Sequence, residues 1–216
     1  MTIKALIFDM DGLLLDTERR SLACFLQAAK ELNCTVNKDV YLQCIGTNMA
    51  QTEQILRAGH DANFPYTQLR QCWDDLYLKE VTTKALPIKA GVIQLLDEAK
   101  SRGLTIGLAT STHYQLACVK LKNAELFDYF SHIVAGDHVE KSKPDPQIYL
   151  HATQQVNLDV KQCLAFEDSE NGVLSAFNAG LNVVQIPDLV EPSTQMQKLG
   201  HEIKSSLTQV DLKDYC

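Results

Sequence analysis

From Pro87 onward, short aliphatic runs alternate with longer segments of helical periodicity. The spacing predicts helices over 91–102, 113–124, 146–156 and 170–179, and strands over 104–109, 132–135, 163–166 and 183–186. Another strand-like run, residues 3–8, opens the chain. Alternation of this kind produces a parallel sheet covered by helices on both faces. Residues 17–84 follow a different pattern. Leu22, Phe25, Leu26, Ala29 and Leu32 recur at three- and four-residue intervals, as do Leu69, Trp73 and Leu76, and no strand-like alternation interrupts them. The expected fold is α/β: a doubly wound parallel-sheet core from residues 1–16 and 85–216, with an inserted α-helical cap over 17–84.

Composition narrows the partners. Twenty Lys and Arg stand against 27 Asp and Glu, a net charge of −7. An overall acidic field works against nucleic acid, so a phosphorylated ligand needs a local cation or metal. No apolar run is long enough to span a membrane, and Asp9 and Asp11 break the first one, so no secretory leader is expected. The seven cysteines, Cys24, Cys34, Cys44, Cys72, Cys118, Cys163 and Cys216, are odd in number, widely spaced and form no C-x-x-C. Reduced thiols and a cytoplasmic location are the reading that fits.

Open parallel sheets bind ligands beyond the C-terminal ends of their strands. Asp9 and Asp11 follow the first predicted strand, and Thr110, Ser111 and Thr112 the second. Lys143, in Lys-Pro-Asp-Pro, lies beyond the third, and Glu167 and Asp168 follow the fourth. Carboxylates, hydroxyls and one amine therefore converge on a single edge. Four carboxylates cannot crowd together uncompensated. A hard divalent cation resolves the conflict, and Mg²⁺ takes carboxylates, waters and a phosphate oxygen. No His or Cys cluster competes for such a role.

Taken singly, each feature has a plainer reading. An Asp-x-Asp can be a polar turn, Thr110 and Ser111 can cap a helix, and Lys143 can be a solvated surface lysine. Order and spacing shift the balance. The segments Asp9-Met10-Asp11-Gly12, Ala109-Thr110-Ser111-Thr112, Ser142-Lys143-Pro144-Asp145 and Phe166-Glu167-Asp168-Ser169 together resemble the haloacid dehalogenase superfamily of aspartate-dependent phosphohydrolases. Its four motifs are present in order, each after a predicted strand, and the resemblance spans essentially the whole chain. The similarity is to the β-phosphoglucomutase-like branch, which includes sugar-phosphate and pseudouridine 5′-phosphate phosphatases.

That resemblance implies a Rossmann-like core, a small helical cap and Mg²⁺. It implies Asp9 as nucleophile forming an aspartyl-phosphate, and Asp11 as general acid and base, a double role favoured by a pKa raised toward neutrality. Thr110, Ser111 and Lys143 would bind the transferring phosphoryl group. The metal would be held by Asp9, the Asp11 main-chain carbonyl and Asp168, with Glu167 near its outer shell. The implied activity is a Mg²⁺-dependent phosphatase of small phosphorylated metabolites, sugar phosphates or nucleoside 5′-monophosphates, acting as a monomer.

The cap departs from the mutase pattern. An ungapped count puts Ser21 where a β-phosphoglucomutase has a His, and Met49 where it has an Arg. Neither replaces the charge, and phosphate sites rely on Arg or Lys. A mutase and a non-catalytic phospholigand-binding protein remain the alternatives. A phosphonate hydrolase needs a cap lysine, and neither Lys30 nor Lys38 is identifiable as that residue. The loop Gly46-Thr47-Asn48-Met49 reads equally as a substrate-selecting loop or a helix–helix turn. Trp73 reads as core of the helical insertion. His60, His113 and His138 read as surface residues, and Asp74-Asp75 as a solvated face.

Overall fold

The computed structural model describes residues 2–215; Cys216 lies outside the described residues. Six parallel strands form one sheet in the order β3-β2-β1-β4-β5-β6. They are β1 (Ala5–Phe8), β2 (Thr105–Ala109), β3 (His132–Val134), β4 (Cys163–Glu167), β5 (Asn182–Gln185) and β6 (Glu202–Ile203). Strand β1 pairs with β2 on one side and β4 on the other, in a register that places Phe8 between Leu108 and Phe166. The winding direction reverses at the β1–β4 pair, the switch point where doubly wound sheets bind ligands. The sixth strand lies beyond those expected from the sequence. It is two exposed residues long, too short to carry a periodic signal.

Period-two alternation divides the strand residues between the two faces of the sheet. Leu6, Phe8, Ile106, Leu108, Leu164 and Phe166 belong to one buried cluster. Ala5, Ile7, Ala109, Cys163 and Ala165 belong to another. Helices α5 (Val92–Ser101) and α6 (Tyr114–Asn123) contribute to the first. Helices α7 (Gln147–Val156) and α8 (Glu170–Asn178) contribute to the second. The rings of Phe8 and Phe166 stack at 4.9 Å and pin the two central strands together. The short α9 (Thr194–Gln197) precedes β6.

Residues 17–84 supply four helices and no strand: α1 (Thr17–Glu31), α2 (Lys38–Leu42), α3 (Met49–Ala58) and α4 (Tyr66–Thr83). They share their own buried cluster, centred on Phe25, Tyr41, Leu56, Leu69 and Trp73. Trp73 packs edge-on to Phe25 at 5.3 Å, so its apolar spacing does reflect core packing. Two strands of chain join this block to the sheet side by side. Asp16 N donates to Pro87 O, and Lys89 N donates to Leu14 O. Among the described residues no helix is long and apolar enough to cross a membrane.

Candidate functional site

The site lies beyond the C-terminal ends of β1, β2 and β4. Asp9 extends β1, and its N–H donates to Phe166 O of β4 at 3.0 Å. Thr110 extends β2, and its N–H donates to Val134 O. Glu167 is the last residue of β4 and Asp168 the first beyond it. Lys143 reaches the same point from the loop before α7. Asp9, Asp11, Thr110, Ser111, Lys143 and Asp168 line one cavity of about 210 Å³.

Lys143 links the motifs. Its ammonium is buried and donates to Asp9 Oδ1 at 2.6 Å, to Glu167 Oε1 at 2.6 Å and to Ala109 O at 2.9 Å. It is therefore far from the solvated lysine of the plainer reading. Burial disfavours its charge, yet the adjoining Asp9 and Glu167 carboxylates outweigh that and raise its pKa. Glu167 is wholly buried. Tyr149 from α7 donates to its Oε1 at 2.7 Å, and the Asp168 N–H donates to its Oε2 at 3.2 Å. Both of its oxygens thus serve the protein's own donors. The loop before α8 also caps that helix, Gly172 N donating to Ser169 Oγ at 3.2 Å.

Asp9, Glu167 and Asp168 each bring a carboxylate oxygen within 4.8 Å of the others. Burial pushes the Asp9 carboxyl up to about 7, against the pull of Lys143. Burial, Asp9 and Glu167 likewise raise Asp168 well above its ordinary value. Such a set, all hard oxygen donors with excess negative charge, fits Mg²⁺. Gly12, at φ +83°, leaves room for it: a Cβ there would lie 2.1 Å from Asp168 Oδ2.

Asp11 faces another environment. Lys120 Nζ donates to its Oδ1 at 2.7 Å and Thr112 Oγ1 to its Oδ2 at 2.6 Å. The carboxyl pKa raised toward neutrality, expected from neighbouring carboxylates, does not occur in this arrangement. Burial does act to raise it, but Lys120 and the hydrogen bonds outweigh burial and hold it below the ordinary value. Lys120 itself is 1% exposed. It also donates to the Tyr77 hydroxyl at 3.0 Å, on α4 of the helical block. A lysine in a helix with apolar neighbours gives no sequence sign of such burial. Glu18 sits nearby on α1, pushed up to about 7 by burial and by Asp11.

The helical block closes the other side. Gly46, Thr47 and Asn48 line the cavity, and Asn171 Nδ2 donates to Gly46 O at 2.5 Å. A second cavity of about 390 Å³ adjoins the first, sharing Asp11, Glu18, Gly46 and Thr47 in its wall. Ser21 and Met49 both line this second chamber, as do Tyr41, Arg70, Trp73, Asp74, Tyr77 and His113. Asp74 and Asp75 are both exposed, and Arg70 Nε donates to Asp74 Oδ2 at 2.7 Å. His60 and His138 have local partners. His60 Nε2 accepts from Asn37 N, and His138 Nδ1 accepts from Ala135 N.

Known proteins place the chain in a family. Residues 6–186 match the family model described as haloacid dehalogenase-like hydrolase. The chain belongs to that family. It is 31% identical over 179 residues to the phosphorylated carbohydrates phosphatase of Thermotoga maritima, covering 83% of this chain and 82% of that one. It is 36% identical over 199 residues to protein CbbY of Rhodobacter capsulatus, covering 87% and 86%. The crystal structure of a CbbY mutant from Rhodobacter sphaeroides in complex with xylulose 1,5-bisphosphate superposes with a TM-score of 0.75, covering 96% of each chain at 23% identity. The fold expected from the sequence is the one observed, and this haloacid dehalogenase-like chain falls in the expected enzyme class of phosphoric monoester hydrolases.

Proposed function

We propose that the chain is a Mg²⁺-dependent phosphatase of small phosphorylated metabolites that works through an aspartyl-phosphate on Asp9. The observation that carries this reading is the Lys143 clamp. One buried ammonium holds Asp9 at 2.6 Å beside Thr110, Ser111 and Asp168, a carboxylate aligned within a cation-braced chamber of about 210 Å³. Phosphoryl transfer asks chiefly for alignment and charge stabilisation.

In the first half-reaction an Asp9 oxygen forms a bond to phosphorus as the phosphorus–alcohol oxygen bond breaks, and the departing oxygen takes a proton from Asp11. In the second, water attacks the phosphorus of aspartyl-phosphate and gives its proton to Asp11, freeing phosphate and Asp9. Thr110 and the Ser111 N–H bind the equatorial phosphoryl oxygens, and Lys143, whose three N–H groups serve Asp9, Glu167 and Ala109, would turn one of them to the phosphoryl group as it arrives. Asp9, Asp168 and the Asp11 carbonyl would hold Mg²⁺, with Glu167, already bound to Lys143 and Tyr149, in its outer shell. The metal would neutralise charge between Asp9 and the phosphoryl oxygens. Lys120 keeps Asp11 ionised and ready as a base. Its acid role requires release from that contact and uptake of a proton before the first half-reaction, and the second half-reaction returns that proton to it.

Residues 17–84 act as a cap on the core of 1–16 and 85–216, admitting substrate and excluding water. Ser21 and Met49, uncharged on the wall of the larger chamber, support a phosphatase over a mutase. The phosphatase name of the Thermotoga relative supports a phosphorylated carbohydrate as substrate. We read the free thiols among the described residues as suited to a reducing cytoplasm, and the chain as a monomer.

The test is phosphate release from a panel of sugar phosphates and nucleotides, with Mg²⁺ and with chelator. Release that requires the metal supports the reading. Conversion of β-glucose 1-phosphate to glucose 6-phosphate on addition of a bisphosphate, without release, contradicts it in favour of a mutase. Tight binding without turnover contradicts it in favour of a binding protein.

A further inference from the structure

The larger chamber, where the leaving group of the proposed phosphatase reaction would lie, has a wall whose charges are already matched. Lys120 is committed to Asp11. Arg70 is the remaining cation on the wall. Its Nε is bound to Asp74 at 2.7 Å, and its guanidinium carbon sits 4.7 Å from the centre of the Trp73 ring. Glu18 adds an acid where the two chambers meet. Recognition of a phosphate or carboxylate relies on an Arg or Lys whose charge is free to meet it. Here a second anion would meet a cation already matched by Asp74.

The rest of the wall suits an uncharged, hydroxylated group. Ser21, Tyr41, Thr47 and Thr52 line it with hydroxyls. Tyr41 and Trp73, at 2% and 7% exposed, show little ring face to the chamber. Tyr41 packs on Phe25 at 4.9 Å and on Trp73 at 5.6 Å, Trp73 carries Arg70, and Tyr77 carries the Lys120 ammonium at 5.2 Å.

We propose that the Arg70–Asp74 pair is a selectivity device. It presents guanidinium N–H donors on a wall without excess positive charge. The enzyme then takes monophosphates of sugars or polyols and discriminates against leaving groups that carry a second anion or a stacked base. This rests on the phosphatase reading and goes beyond it by assigning residues to the choice of leaving group.

The experiment compares kcat/KM for phosphate release from sorbitol 6-phosphate and glucose 6-phosphate with that from fructose 1,6-bisphosphate, 2-phosphoglycolate and uridine 5′-monophosphate. The full chain is used with Mg²⁺, and p-nitrophenyl phosphate, an uncharged aryl leaving group, reports whether the catalytic centre works. The expected preference for the polyol and sugar monophosphates over substrates that carry a second anionic group is on the order of 100-fold, as an unpaired charge against such a wall produces. In Asp74→Asn the released Arg70 narrows that ratio on the order of tenfold, and Arg70→Met in the same background restores it. The ratio, rather than the absolute rate, is read. Equal wild-type turnover of the bisphosphate, a preference for the nucleotide, or an unchanged ratio in Asp74→Asn overturns the assignment while p-nitrophenyl phosphate turnover leaves the phosphatase reading standing. No release from any compound overturns both.

Discussion

Gly172 and Glu167 are in such close contact that a Cβ on the glycine would lie 2.0 Å from the Glu167 carboxyl carbon. Glu167 is the wholly buried acid that orients Lys143, which in turn holds Asp9. The first turn of α8 therefore gives up a side chain so that a carboxylate can sit against its backbone. The position of Lys143 depends on that space.

Gly172→Ala forces Glu167 out of its bonds to Lys143 and Tyr149. Overpacking of this kind destabilises a fold by about 1–3 kcal/mol. Loss of the supporting contact lowers kcat/KM on the order of 10- to 100-fold. Thermal unfolding and phosphate release, measured on one preparation, check both. A variant with wild-type stability and activity would mean that Glu167 is free to move without consequence.

Lys120 is the counter-charge of Asp11, and Lys120→Met removes it. Breaking a buried pair leaves an uncompensated charge and costs about 3–5 kcal/mol. Without the ammonium, the force that holds the Asp11 pKa down is gone and burial raises it. The limb of the kcat–pH profile that requires ionised Asp11 then moves to higher pH. A rate profile of the variant across acid and neutral pH checks the sign. An unchanged limb would show that Lys120 does not set the Asp11 charge.

A metal held by the acid cluster would bind with an affinity that depends on pH. Burial raises Asp9 from 3.8 to about 7. The folded chain therefore retains a proton that the unfolded chain releases. Stability contributed by this group is full below pH 3.8 and is lost as pH rises toward about 7. A cation that requires the ionised carboxylates displaces that proton on binding. Metal-free protein should lose thermal stability through this window, Mg²⁺ should restore it, and apparent Mg²⁺ affinity should rise with pH and level off near neutrality. Calorimetric titrations in buffers of different ionisation enthalpy measure the released proton. Affinity independent of pH, with no proton released, would contradict the cluster as the metal site.

Much of this site is legible in the sequence because its groups follow strands. The short aliphatic runs locate the ends of β1, β2 and β4, and parallel topology brings Asp9, Thr110 and Glu167 to one edge whatever lies between. The partners that tune those groups are not legible in this way. Lys120 and Tyr77 each sit at ordinary helical positions, and only the fold brings Lys120 onto Asp11 and the Tyr77 hydroxyl onto Lys120. Tyr149 reads as an apolar helix residue until α7 docks beneath Glu167. The Arg70–Asp74 pair is an i,i+4 salt bridge like those of any exposed helix. Only the fold makes it a cavity wall. Strand β6 shows no pattern because it has two residues.

The account rests on Asp9 as the nucleophile, and the most direct measurement is single- and multiple-turnover phosphate release by Asp9→Asn with Mg²⁺, beside its thermal unfolding. The variant keeps the shape of the side chain and removes the attacking oxyanion. The account predicts a folded protein whose release falls at least on the order of 10³-fold in both regimes, the scale at which loss of a catalytic nucleophile is felt. A folded Asp9→Asn that releases phosphate at a near-normal rate would contradict it.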